Sequence, residues 1–282
     1  MYNINQFKIV IVKKLYCLIP AILLICGCSG TEKTHEENSE EISNAEDLPE
    51  TDSVSENSVI ELPPREAQPD SLRTNSKSPA RSDDEKMEAM GFVDVTSVAP
   101  DVVVSLPYAT PDNFTGVKLY ETLTKAYLHP LAAKSLSAAQ KELSNIRPGY
   151  RIKIYDASRP MSAQKRMYKV VQGTPMAPYV GNPKNGGGLH NYGMAVDATI
   201  VDAQGKELDM GTKFDHLGKE ANIDKEELFI KQGILTPDQV DNRKLLRKVM
   251  TAGGFTPLKS EWWHFNKCTR NYAKAHYPLI NF

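Results

Sequence analysis

The stretch from Gly186 to Asp202, GGGLHNYGMAVDATIVD, constrains the fold more than any other. AVDATIV reads as a buried strand, yet it carries Asp197 between Val196 and Ala198. A carboxylate there is stable only where something compensates its charge. A metal ion is one such partner; an arginine or backbone amides are others. Seven positions upstream stands His190. Residues seven apart on one straight strand face opposite sides, so His190 and Asp197 can meet only if the chain bends, and Gly193 offers that bend. Taken alone, His190 reads as a hydrogen-bonded core histidine.

SEWWHF, residues 260–265, changes the balance. It supplies Glu261 and His264 around Trp262 and Trp263, the two tryptophans of the chain. An open catalytic zinc site takes three protein ligands from His and carboxylate, leaving one position for water. It also uses a carboxylate beside that water to take its proton. His190, Asp197 and His264 fill the ligand roles, with Glu261 left as the base. The spacing of three would put Glu261 and His264 on opposite faces of a regular strand, so the backbone must bulge or turn there. The tryptophans either wall the site or pack in the core. Arg159, in YDASRP, follows one expected strand and precedes one expected helix. A guanidinium at such a loop can stabilise an oxyanion, pair with a substrate carboxylate, or pair with Asp156.

The rest of the chain divides into three parts. Lys13 and Lys14 followed by LYCLIPAILLICGC read as an export signal whose apolar run is shorter than a comfortable membrane span. ICGC resembles a bacterial lipobox, with cleavage after residue 27 and lipidation of Cys28. This places the mature protein outside the cytoplasm, touching a membrane only through its lipid anchor. Residues 28–89 read as a disordered tether. Between Thr31 and Leu62 stand eleven acidic residues and one basic residue, and no aromatic follows until Phe92. A net charge of −1 does not point to a nucleic-acid partner. Of the four cysteines, Cys268 alone lies in the part expected to fold, which predicts a free thiol.

Residues 90–282 form the expected domain. FVDVTSVAPDVVVSLPYAT alternates like strand material, and SLSAAQKELSNI places Leu136, Ala139, Leu143 and Ile146 on one helical face. YRIKIYDAS reads as a strand, MSAQKRMYKVV as a helix opened by Pro160, and DNRKLLRKVMTAGG as a helix capped by Asp241. PLKSEWWHF reads as a final strand. Helices and strands mix without a βαβ rhythm, so the fold class is α+β, a single domain with a central antiparallel sheet and flanking helices.

HNYGMAVD, EWWH and DASRP together resemble the zinc D-alanyl-D-alanine dipeptidases, the vancomycin-resistance type among them, within the superfamily of D-Ala-D-Ala metallopeptidases and hedgehog-like domains. The pattern His-x6-Asp, then Glu-x-x-His, is shared by the carboxypeptidase branch. YATPDNFTG and MGTKFDHLG resemble the dipeptidase branch in particular. The resemblance covers residues 92–282. It implies one Zn2+ per chain on His190, Asp197 and His264, with Glu261 as general base and Arg159 as transition-state stabiliser. Tyr108, Asp156 and Trp263 are assigned to the substrate pocket. The activity implied is hydrolysis of the D-Ala-D-Ala dipeptide, a small D-amino-acid peptide, in peptidoglycan turnover. D,D- or L,D-carboxypeptidase trimming of stem peptides is the alternative within enzymes. A non-catalytic, zinc-stabilised domain that binds cell-wall peptide is the alternative outside them. Relatives of this kind carry Ser two residues before the first zinc histidine, where this chain has Gly188, a departure that bears on substrate preference.

Overall fold

The computed structural model describes residues 80–282. The expected signal peptide, the Cys28 lipidation site and most of the expected tether lie outside the described residues. Helix α1, Asp83–Ala89, falls inside the last part of the expected tether and corrects its boundary. Its acidic, aromatic-free sequence has the composition of a tether, but Ser82 and Glu85 form a reciprocal capping box. Met87 then anchors the helix, fully buried in a cluster with Phe92, Tyr108, Leu119 and Tyr127.

The stretch expected as strand after Gly91 is mostly something else. Strand β1, Val93–Asp94, is two residues long, and the one-turn helix α2, Val95–Val98, follows it because the Asp94 side chain accepts from the Thr96 amide. Strand β2, Val103–Val104, ends before Pro107, which opens a 3-10 turn. Proline has no amide to give a sheet, so this segment cannot stay paired. Strand β3, Tyr127–Leu128, pairs antiparallel with β1.

The main sheet is built from β4, Arg151–Asp156; β5, Ala195–Val201; β6, Thr256–Leu258; and β7, Glu261–Asn266, with β2 at one edge. The order is β2-β4-β5-β7-β6. Only the β2–β4 pair is parallel; the other neighbours are antiparallel. PLKSEWWHF is thus the β6–β7 hairpin rather than one strand. Every residue of β5 is buried, as a central strand covered on both faces demands. Helices α3, Pro130–Ile146, and α6, Pro237–Ala252, pack on each other and against the sheet. Helix α6 starts four residues before Asp241. Thr236 and Gln239 form its capping box and Pro237 occupies the first turn. Helices α4, Met161–Val171; α5, Glu226–Lys231; and α7, Arg270–His276, complete the domain.

Met87→Ala is expected to destabilise the domain by roughly 2–5 kcal/mol, the usual range for emptying a buried methionine site. Urea unfolding of the two proteins measures it. A change below about 1 kcal/mol would return α1 to the tether.

Candidate metal centre and cleft

Three adjacent strands each bring one ionisable side chain to the middle of the sheet. Asp156 of β4, Asp197 of β5 and His264 of β7 follow one another across it: Asp156 is the register partner of Asp197, and Asp197 that of His264. Cross-strand partners share a face, so two carboxylates stand side by side in a buried sheet. Each requires its own compensation.

Asp156 is served from one side. Arg159 donates to its Oδ2 through Nε at 3.0 Å and through Nη2, Tyr120 Oη donates to Oδ1, and the Ala157 amide donates at 2.9 Å. Asp156 is fully buried and lies behind the cleft, out of reach of a ligand. Its assignment to the substrate pocket is therefore corrected: its contacts are the ones that hold Arg159 in place.

Asp197 is served by imidazoles. His190 arrives on a 3-10 turn, Leu189–Tyr192, and the chain then reverses at Gly193, whose φ of +64° and close approach to the Phe92 ring leave no room for a side chain. This is the bend the spacing required. His190 Nε2 lies 3.4 Å from Asp197 Oδ2, His264 Nδ1 lies 2.9 Å from Asp197 Oδ1, and the two ring nitrogens are 3.2 Å apart. The edges expected around a four-coordinate cation with bonds of ~2.0–2.1 Å are about 3.3 Å. The separation of the two ring nitrogens, 3.2 Å, matches that figure, and one ligand atom from each of the three residues lies within 4.8 Å of the others.

The outer nitrogens settle which atoms face inward. His190 Nδ1–H donates to the Ala157 carbonyl at 2.7 Å, and His264 Nε2–H donates to Asn266 Oδ1 at 2.8 Å. His190 Nε2 and His264 Nδ1 thus face each other beside a carboxylate, an arrangement that suits a cation between them. Such outer hydrogen bonds are how metal-binding histidines are oriented. For a proton the same pull is visible. Burial lowers the proton affinity of His264, but the hydrogen bond and charge of Asp197, together with the Glu261 charge, outweigh it and set its pKa at about 9. Burial raises the Asp197 pKa, yet the His190 and His264 charges and hydrogen bonds hold it well below the usual carboxylate range. This trio of ligands could hold a metal ion.

The trio lines a cleft of about 250 Å³ that also receives Glu261, Arg159, Tyr108 and Trp263. Glu261 reaches it from the irregular end of β7, where the register with β6 slips between Pro257 and Leu258. Burial, with a smaller contribution from Asp197, raises its pKa against the opposing His264, His190 and Arg159 charges. Arg159 is buried, with Nη1 on Gln164 Oε1 at 3.0 Å and near Met167 Sδ at 3.3 Å. These contacts, with those to Asp156, leave one Nη2 hydrogen for the cleft. Trp262 does not share the cleft wall with Trp263: its indole N–H donates to Thr212 Oγ1 at 2.8 Å around a neighbouring hollow. Gly188 lines the cleft with open space where a side chain would project.

One cleft carboxyl was not singled out from the sequence. Asp215 accepts from Tyr108 Oη at 3.0 Å and is the one non-glycine among the described residues with positive φ, +61°. Burial, then the Asp197 charge, pushes its pKa well above the carboxylate range. Its signal was present in MGTKFDHLG, as an acid next to Phe214 in a segment with no helical or strand period.

The family model described as D-ala-D-ala dipeptidase, of the M15 peptidases, matches residues 88–281. The D-alanyl-D-alanine dipeptidase of Escherichia coli K12 is 35% identical over 193 residues, covering 67% of this chain and 89% of that protein. The protein of the same name from Enterococcus faecium is 28% identical over 211 residues, covering 67% and 98%. That of Synechocystis sp. is 27% identical over 175 residues, covering 50% and 68%. The chain belongs to this dipeptidase family.

Asp156→Ala should cost roughly 3–5 kcal/mol, the penalty for leaving a buried guanidinium without its counter-ion. The shift in the denaturant midpoint at unchanged slope reads it. A midpoint within error of the parent would mean that Arg159 does not depend on Asp156.

Proposed function

We propose that this chain is a zinc-dependent dipeptidase that hydrolyses D-Ala-D-Ala, with His190, Asp197 and His264 as the zinc ligands and Glu261 as the general base. The observation that carries the reading is the pair of inward ring nitrogens 3.2 Å apart beside Asp197, with a half-buried carboxylate, Glu261, that belongs to the cleft but not to the trio. A closed structural site would use four protein ligands; three ligands and a separate base fit an open catalytic one. That separates the reading from a non-catalytic peptide-binding domain.

Zinc bound to the trio would polarise the scissile carbonyl and make water acidic enough to attack it. Glu261 takes a proton from the attacking water, helped by a proton affinity that burial has raised. It then returns that proton to the leaving amine. Arg159 turns its remaining Nη2 hydrogen toward the oxygen on which negative charge develops, and its pairing with Asp156 keeps it from swinging away. Trp263 and Tyr108 give the cleft an apolar wall that strengthens these charge interactions.

Asp215 favours a dipeptidase over a carboxypeptidase. A free dipeptide brings an ammonium that a cleft carboxyl can match, whereas a stem peptide brings a neutral amide. A cation beside Asp215 offsets the burial that raises its pKa. The mature protein is proposed to act outside the cytoplasm, held by lipid on Cys28; the apolar run ending in ICGC supports this. Among the described residues no helix is long and apolar enough to cross a membrane.

Two results test the reading. Glu261→Ala is expected to keep its zinc while kcat falls roughly 10²–10⁴-fold, the range for lost general-base assistance; metal analysis and steady-state kinetics on the same sample decide it. Near-normal turnover would remove Glu261 from the mechanism. N-acetyl-D-Ala-D-Ala should be a poor substrate beside D-Ala-D-Ala. Equal rates on both would favour the carboxypeptidase alternative.

A further inference from the structure

The segment from Leu208 to Glu220 brings Asp215 and Leu217 to the cleft, with Phe214 packed on Tyr108 and Trp263 behind it. It lacks regular pairing to hold it, apart from a short contact at Leu208. It must nevertheless keep Asp215 at a φ of +61°, a conformation that persists in a non-glycine only where the surroundings over-determine it. The fastening comes from one face of α6. Gln239 Nε2 donates to Asp209 Oδ2 at 2.9 Å and Asn242 Nδ2 donates to the Asp209 carbonyl at 2.9 Å. Arg243, one residue on, is fully buried. Its Nε donates to the Met210 carbonyl at 2.7 Å and its Nη1 to the Glu220 carbonyl at 3.1 Å. One guanidinium thus holds both ends of the segment. The same group lies 5.9 Å from the Trp262 ring, and Trp262 in turn holds Thr212 in the middle of it.

This arginine is an expensive residue for mere packing. Glu226 is 3.8 Å from its Nη1, but that carboxylate makes its closer, two-pronged pair with Arg247 at 2.8 and 2.6 Å. Among the described residues Arg243 Nη2 has no hydrogen-bond partner. A buried charge with an unmatched donor is commonly less stable than an apolar side chain of similar volume. What an apolar side chain, or a lysine, cannot do is reach two carbonyls ten residues apart with a rigid planar fork. Gly211, beside Met210, fits the same picture: a side chain there would meet Leu235 at 2.3 Å, so the segment enters pressed against its support.

We propose that Arg243, which does not line the cleft, is a positioning residue: by clamping the Met210 and Glu220 carbonyls it fixes Asp215, and through Asp215 it sets the enzyme's recognition of the substrate ammonium. The proposal rests on the dipeptidase reading for its last step and on geometry alone for the clamp.

The test compares the full chain, Arg243→Lys, Asp215→Asn and the double variant, with Arg247→Gln as a control that loosens the Glu226 pair without touching either carbonyl. For D-Ala-D-Ala, Arg243→Lys should raise KM at least about tenfold with kcat within about threefold, the signature of lost ground-state binding. In the Asp215→Asn background the same substitution should add less than about threefold, because residues acting through one another are not additive. Hydrogen exchange, which needs no turnover, should show residues 211–218 losing protection in Arg243→Lys while β5 and β7 keep theirs. Asn242→Ala, which removes only the adjacent contact to Asp209, should give a milder version of both effects if Arg243→Lys fails to fold. Loss of kcat alone, full additivity with Asp215→Asn, or exchange that rises evenly through the sheet would overturn the proposal. Unreactive D-Ala-D-Ala with the parent chain would instead refute the dipeptidase reading, and the exchange experiment would still decide the clamp.

Discussion

Two neighbouring carboxylates in a buried sheet, Asp156 and Asp197, set the terms for this domain. Neither can stay ionised there unpaired, and like charges on adjacent strands repel. The fold answers each differently. Asp156 receives a guanidinium, a phenol and an amide and becomes closed to further partners. Asp197 receives two imidazoles whose outer nitrogens are hydrogen-bonded elsewhere, and so stays open to a cation. His190 lies between the two, with Nδ1 3.5 Å from Asp156 and Nε2 3.4 Å from Asp197. The backbone joins the two solutions: the Arg159 amide donates to the His190 carbonyl at 2.9 Å, and Asn191 Nδ2 donates to the Arg159 carbonyl at 2.8 Å. Disturbing either carboxylate therefore disturbs the other's partners.

Chemistry is then divided among elements of different stiffness. Asp197 and His264 sit on paired central strands, where position is set by the ladder. Glu261 sits where the ladder slips, which frees its side chain from strict alternation and lets it reach the same cleft as His264. Asp215 sits on an irregular segment that α6 must hold from outside. Two of the three groups that would bind a metal are on paired strands and His190 is on the turn closed by Gly193, whereas the group suited to a substrate ammonium is on a segment held from outside.

Legibility in the sequence followed the same division. AVDATIV was readable to the residue because β5 is buried throughout, and an acid in an apolar run is conspicuous. His190 and His264 followed from metal-ligand chemistry, and Gly193 from the need for a bend. Asp156 was misplaced because a carboxylate that holds an arginine and one that holds a ligand look alike in YDASRP. Trp263 was assigned to the pocket on the resemblance, and it lines the cleft while Trp262 faces the neighbouring hollow. Helix α1 was hidden by composition: one methionine and a capping box are weak signals amid acidic residues. Asp215 and Arg243 are brought together by tertiary contacts, and no spacing announces those.

The most direct test of the account is X-ray absorption at the zinc edge on the intact, metal-replete chain. Two imidazole nitrogens and one or two oxygens at ~2.0–2.2 Å, with no sulfur, is the result expected of His190, Asp197, His264 and a solvent oxygen. An unchanged spectrum after His190→Ala, or a shell containing sulfur at ~2.3 Å, would contradict it.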